Sequence, residues 1–311
     1  MPRAAPPRVA TEAIPGPRPA ARPRVDDRSC PPKGCPLNVP NFRTTIAAAT
    51  DVGRRRSGNE DSYSLWTAEP GGTHAADTLL VVCDGMGGSN AGEVASRMAA
   101  DVVLSRLQDA PGDDPATALA RAIEAANQAV WEKSQAHAEM NGMGTTCTVL
   151  ALRADQALVG HVGDSRAYLV RGGQALQITT DHSLVAQLVA RGQLTAEEAK
   201  HDPRRNVVTR CVGIGPDVTV DVVAVGEALQ HDDTLVVCSD GLHGQVSDAE
   251  IAMLAVRTPL EDGCSALIAL ANERGGPDNI TVALARFERL SSAGANPLGR
   301  WLRSLGGRRQ A

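Results

Sequence analysis

Two short, unbroken apolar runs, residues 79–83 and 235–238, each lead into an aspartate. Asp84 follows the first run directly, and Asp240 follows the second after Ser239. Apolar runs of this length without alternation are what a strand shows when both of its faces are buried. A sheet covered on both sides needs further layers around it. An acid at the end of such a strand must be solvated, neutralised or given a counter-charge.

Residues 147–152, 157–162, 167–170, 218–225 and 280–285 read as further strands. Between the second and third of these, Gly163-Asp164-Ser165 predicts a tight hairpin turn carrying Asp164. Helix starts are marked by Asn90 with Glu93, Thr195 with Glu198, Ser247 with Glu250, and Thr258-Pro259 with Glu261, each spaced as a capping box. Asp114-Pro115 opens another helix, along which Leu119, Ile123, Ala126 and Val130 keep helical spacing. Strands come in consecutive groups rather than alternating with helices. That order predicts an α+β fold with two sheets covered by helices, not a doubly wound parallel sheet.

With only two Phe, three Trp and two Tyr, the core must be built from Val, Leu, Ile, Ala and Met. Seven Cys show no disulfide rhythm, and Cys83 and Cys238 read as small buried hydrophobes of a reducing compartment. Cys30 and Cys35 are half of a zinc site at most, because no second pair follows with matching spacing.

Residues 1–40, rich in Pro, Ala and Arg, read as a disordered arm, 41–290 as one domain, and 291–311 as a basic tail. Leu298, Trp301, Leu302 and Leu305 would give that tail an amphipathic helix, but it is short enough that a floppy basic tail is preferred. Residues 1–44 carry a net +5, residues 291–311 a net +4, and residues 45–290 a net −14. An acidic body argues against a nucleic-acid-binding core and suits a site that collects divalent cations. No run approaches the ~18 apolar residues of a membrane span, and the first residues lack a secretory pattern, so a cytoplasmic monomer is expected.

Five acids stand at strand termini. They are Asp84 in Asp84-Gly85-Met86-Gly87-Gly88, Asp240 in Asp240-Gly241-Leu242, Asp278 before Asn279, Asp61 after Asn59-Glu60, and Asp164. Gathered away from water they would repel one another, and hard oxygen ligands suit Mg²⁺ or Mn²⁺. Gly85, Gly87 and Gly88 permit positive φ and a close backbone approach, and the Gly85 carbonyl is a possible ligand. Each aspartate alone reads more readily as a turn residue. Their number at strand ends favours a divalent-metal hydrolase.

Six segments, in order, resemble the signature of the protein phosphatase 2C family: Arg56-Ser57-Gly58-Asn59-Glu60-Asp61, Asp84-Gly85-Met86-Gly87-Gly88, Gly144-Thr145-Thr146, Gly163-Asp164-Ser165-Arg166, Ser239-Asp240-Gly241-Leu242 and Asp278-Asn279. The resemblance covers residues 45–288 and is of the bacterial type. It implies a four-layer α-β-β-α sandwich with two central antiparallel sheets, and hydrolysis of phosphoserine and phosphothreonine in proteins. It also implies two Mn²⁺ or Mg²⁺ ions, with a weaker third. Asp84 would bridge two metals, the Gly85 carbonyl would bind one, and Asp240 and Asp278 would complete the site. Glu60 and Asp61 would act mainly through water, Asp164 with Asp240 would hold the third metal, and Arg56 would grip the phosphate. Partners implied are phosphorylated Ser/Thr proteins and a bacterial Ser/Thr kinase.

Met86 stands where eukaryotic relatives carry a His proposed as general acid, and a thioether donates no proton. His161 and His182 read as strand-core or turn residues rather than catalytic ones. Residues 183–210 resemble the family's variable flap, with helical signals at 184–191 and 195–200 and the basic pair Arg204-Arg205. It reads equally as a mobile substrate-reading flap or as a passive insertion. Two other functions remain open: a catalytically silent phosphoprotein-binding regulator, and a hydrolase of small phosphate esters.

Overall fold

A computed structural model describes residues 42–68, 74, 76–87, 91–109 and 114–290. The arm, the tail, the Cys30–Cys35 pair, Gly88 and the Asn90 cap lie outside them. Among the described residues, eleven strands form two antiparallel sheets. One contains β1 (Phe42–Asp51), β7 (Arg166–Arg171), β8 (Gln174–Gln177), β10 (Thr234–Cys238) and β11 (Ile280–Arg289), in the order β1-β11-β10-β7-β8. The other contains β2 (Asp61–Thr67), β3 (Thr78–Met86), β5 (Cys147–Arg153), β6 (Gln156–Val162) and β9 (Asp221–Ala224), in the order β2-β3-β5-β6-β9. The short β4 (Gly144–Thr145) pairs with the end of β3.

Side-chain parity along the buried strands separates three apolar cores. On β3, Leu79, Val81 and Cys83 pack under α1 (Ala91–Gln108) and α2 (Pro115–Ala136), whereas Leu80 and Val82 face the other sheet. On β10, Leu235 and Val237 join that central core, while Val236 and Cys238 turn to α5 (Asp240–His243), α6 (Asp248–Ala255) and α7 (Leu260–Glu273). On β11, Ala283, Ala285 and Phe287 point inward and Val282 and Leu284 outward. Strands buried on both faces thus explain the non-alternating runs, and the layers are helix, sheet, sheet, helix. Among the described residues no helix is long and apolar enough to cross a membrane.

Three local expectations are corrected. Residues 163–165 are not a hairpin turn, because β6 and β7 lie in different sheets. Gly163, at φ +119°, instead carries the chain across, with no room for a Cβ against Thr146. The strand predicted over 218–225 shrinks to Asp221–Ala224, whose ladder to β6 runs from Asp221 opposite His161 to Ala224 opposite Leu158. The Thr258 cap is absent: Thr258 Oγ1 accepts from Arg286 Nη1 at 2.6 Å, and α7 starts after Pro259 without a side-chain cap. At Asp114 and Thr195 the caps form as read. Asp114 accepts from the Thr117 N–H at 3.0 Å, and Thr195 and Glu198 form a reciprocal box opening α4 (Ala196–His201).

Candidate metal and phosphate site

Asp84 and Asp61 are direct cross-strand partners in β3 and β2, so both carboxylates leave the same face of their sheet, the face toward the other sheet. From the opposite sheet comes Ser239, at the end of β10. Its Oγ donates to Asp61 Oδ2 at 2.7 Å and accepts from the Thr281 N–H at 3.0 Å. Asp240 begins α5 one residue later. The Asp84 backbone is fixed by two hydroxyls: its N–H donates to Thr146 Oγ1 at 2.9 Å, and its carbonyl accepts from Thr145 Oγ1 at 2.8 Å.

The loop before β2 is organised by Asn279. Its Oδ1 accepts from the Glu60 N–H at 2.8 Å, and its Nδ2 donates to the carbonyls of Val52 and Gly58, both at 2.9 Å. That loop presents Arg56, whose Nη2 donates to Asp278 Oδ2 at 2.8 Å and whose Nη1 lies 3.9 Å from Glu60 Oε2. Gly85 takes no positive φ. A Cβ there would strike the carbonyls of Gly92 and Glu60, so close packing of β3 against α1 and β2 is what demands glycine. Gly87 does adopt positive φ, +155°.

The acids are gathered at a high electrostatic cost. Burial, then repulsion from Asp61, Asp240, Asp164 and Asp278, holds the Asp84 carboxyl well above the usual carboxylate range. Burial pushes Asp61 up to about 7, against the pull of hydrogen bonds from Thr281 and Ser239. Asp164 is raised to about 7 by burial and by Asp240, and Asp240 to about 6 by burial and by Asp278. Glu60 is raised by burial, with Arg56 pulling the other way.

Two buried carboxylate oxygens, Asp61 Oδ1 and Asp240 Oδ1, have no hydrogen-bond partner. Orphaned anionic oxygens inside a fold are costly, and an all-oxygen set of this kind suits a hard divalent cation. The cage is not drawn tight: among the described residues no three Asp, Glu, His or Cys side chains are already arranged to hold a metal ion. Asp278 is engaged by Arg56 and Asp61 by Ser239. The donor set therefore fits a divalent cation in kind, with Asp278 held by a guanidinium.

Of the eight residues singled out from sequence, Asp61, Asp164, Asp240 and Asp278 come within electrostatic reach of Asp84. Arg56 and Glu60 flank Asp278, and Gly85 follows Asp84 in β3. His161 is buried in β6 with Nδ1 2.9 Å from Thr148 Oγ1. His182 accepts from the Gly163 N–H at 3.0 Å through Nδ1, which leaves Nε2–H to donate to Asp221 at 3.0 Å. It sits at the base of the 183–210 segment, whose ends are tied by the Thr209 N–H donating to the His182 carbonyl at 2.7 Å. Ser239, Asn279 and His243 were not singled out. The first two stand beside acids in the quoted motifs, yet adjacency to an acid does not reveal a hydrogen-bonding role.

A Protein phosphatase 2C family model matches residues 54–280. The chain is 38% identical over 243 residues to Protein phosphatase PhpP of Streptococcus pneumoniae, covering 77% of this chain and 96% of that protein. The crystal structure of the Mycobacterium tuberculosis serine/threonine phosphatase PstP/Ppp superposes with a TM-score of 0.70 at 35% identity, over 79% of this chain and 99% of that one. A PstP catalytic domain in complex with 2 manganese ions superposes with a TM-score of 0.67 at 34% identity, over 79% of this chain and 99% of that one. The chain belongs to the protein phosphatase 2C family.

Proposed function

We propose that this protein hydrolyses phosphoserine and phosphothreonine in proteins, opposing a bacterial Ser/Thr kinase whose products are its substrates. The observation that carries the proposal is the convergence of Asp61, Asp84, Asp164, Asp240 and Asp278 with two orphaned carboxylate oxygens among them. The family is metal-dependent. Asp84, the Gly85 carbonyl, Asp240 and Asp278 would hold two Mn²⁺ or Mg²⁺ ions, with Glu60 and Asp61 engaged partly through water. Asp164, with Asp240, would hold a weaker third. Cations so held lower the pKa of water and neutralise charge on phosphoryl oxygens.

Arg56 supplies the phosphate grip. Its side chain is 49% exposed, its charge is permanent, and its planar fork matches two phosphate oxygens. Exchanging Asp278 for phosphate would free that carboxylate at the moment substrate binds. Met86 has no proton to give, which leaves the general-acid role open and makes water one candidate donor to the departing Ser or Thr oxygen. Mn²⁺-dependent release of phosphate from a phosphothreonine peptide tests the proposal. Turnover no greater than that of an Asp240→Ala control would refute it. Comparing phosphopeptides with small phosphate esters side by side separates a protein phosphatase from a metabolite hydrolase.

A further inference from the structure

Asp164 and Asp240 reach the site from unconnected pieces of chain. Asp164 sits on the crossover between β6 and β7, which belong to different sheets, and Asp240 opens the four-residue α5 after β10. Repulsion from Asp240 helps raise the Asp164 pKa. Two short loops carrying like charges need a mechanical tie to stay together.

His243 provides that tie. Its Nε2 lies 2.9 Å from the Asp164 carbonyl oxygen, so the imidazole N–H donates there. No other hydrogen bond among the described residues joins α5 to residues 163–165. The imidazole is itself aimed by its neighbours. Leu242 is fully buried, and the Gly244 N–H donates to the Asp240 carbonyl at 2.8 Å, closing the helical turn. At the start of the same turn, Gly241 presses against the Asn279 carbonyl, where a Cβ would lie 1.9 Å from the oxygen. The bond to Asp164 uses its main-chain oxygen, leaving the carboxylate available as a ligand. Resting on the proposed function, we infer that His243 is a positioning residue that sets the Asp164–Asp240 separation and thereby the affinity of the weaker third cation.

The test compares the full chain with His243→Leu, which keeps bulk and removes the donor, and His243→Gln, whose side-chain amide reaches a similar point with an N–H. Mn²⁺ binding is measured by calorimetry, with a melting curve for each variant. The parent should bind two Mn²⁺ tightly and a third more weakly. His243→Leu should retain the tight pair and lose about tenfold in third-site affinity, consistent with the ~1.4 kcal/mol of one hydrogen bond. His243→Gln should recover most of that loss. Unchanged third-site affinity in His243→Leu would overturn the inference, as would a parent that binds only two ions. Equal losses in the Leu and Gln variants would also overturn it. A parent that binds no Mn²⁺ would instead remove the functional proposal beneath it. If His243→Leu fails to fold, His243→Met, which also lacks a donor, takes its place: a tenfold third-site loss that His243→Gln recovers supports the donor role, and an affinity matching the parent refutes it.

Discussion

Arg56 Nη2 and Asp278 Oδ2 lie 2.8 Å apart although 222 residues separate them in the chain. The guanidinium is half exposed and the carboxylate largely covered, so Arg56 neutralises an inner acid while remaining reachable from solvent. Replacing it should therefore have opposite effects on the two ligands of the site. Arg56→Ala should raise KM for a phosphothreonine peptide and lower kcat/KM by about 10- to 100-fold, the equivalent of ~1.5–3 kcal/mol for charged hydrogen bonds. Mn²⁺ affinity should hold or rise, because Asp278 is released. Steady-state kinetics and Mn²⁺ titration check both arms. An unchanged KM would refute the phosphate-binding role.

Asn279 satisfies three main-chain groups of the loop that carries Arg56 and Glu60: two carbonyls and one N–H. An Asn279→Ala change leaves all three without that partner, at about 1–3 kcal/mol for each group that water does not reach. The variant should lose about 2–4 kcal/mol of stability in denaturant unfolding. Amides of residues 52–60 should exchange with solvent faster than in the parent, while those of β3 change little. Asn279→Asp should be no better, since a carboxylate offers no donor to the Val52 and Gly58 carbonyls.

The layered architecture was legible because β3, β10 and β11 announce themselves. Strands buried on two faces cannot alternate, so their apolar runs mark where they lie, although β3 continues to Met86 and β11 to Arg289 beyond the runs themselves. The edge strand β1 (Phe42–Asp51) was missed. Its Ala-rich segment has poor strand propensity and is held by its ladder to β11. The β6–β7 link was misread for a related reason. Sequence shows a glycine turn between two apolar runs, but not whether the second run rejoins the first sheet or enters another. At the site, the acids were visible because each interrupts or bounds an apolar run. Ser239, Asn279 and His243 were not, because a polar residue that serves a neighbour's backbone or carboxylate leaves no periodic or compositional mark.

Gly241 offers a steric test of the Asp240 end of the site. Its Cα faces the Asn279 carbonyl so closely that a Cβ would fall 1.9 Å from the oxygen, and both partners are main chain. Gly241→Ala must therefore displace α5 or the Asp278–Asn279 turn, or both. Mn²⁺ affinity should fall at least tenfold, with a stability loss of about 1–3 kcal/mol, as overpacked sites show. Circular dichroism should still report a folded protein. Mn²⁺ binding equal to the parent would mean that α5 can shift without moving Asp240 from its partners.

The gathered acids also dictate how stability responds to pH. Asp61 and Asp164, pushed up to about 7, bind more protons in the folded chain than in the unfolded one, where their pKa is near 3.8. Their contribution to stability therefore falls as pH rises toward and through 7. His161 and His243, pushed down to about 4 from 6.5, act with the opposite sign, but only below about pH 6.5. Between about pH 6.5 and 8 the carboxylates should dominate. In that window the melting temperature of the metal-free protein should decline, and Asp61→Asn should flatten the decline. Saturating Mn²⁺ should raise the melting temperature more at about pH 8 than at about pH 6.5, because a cation binds the deprotonated ligands. Calorimetric scans with and without Mn²⁺ measure all three effects. A metal-free protein whose melting temperature rises across this window would show that these acids do not share one buried, mutually repelling site.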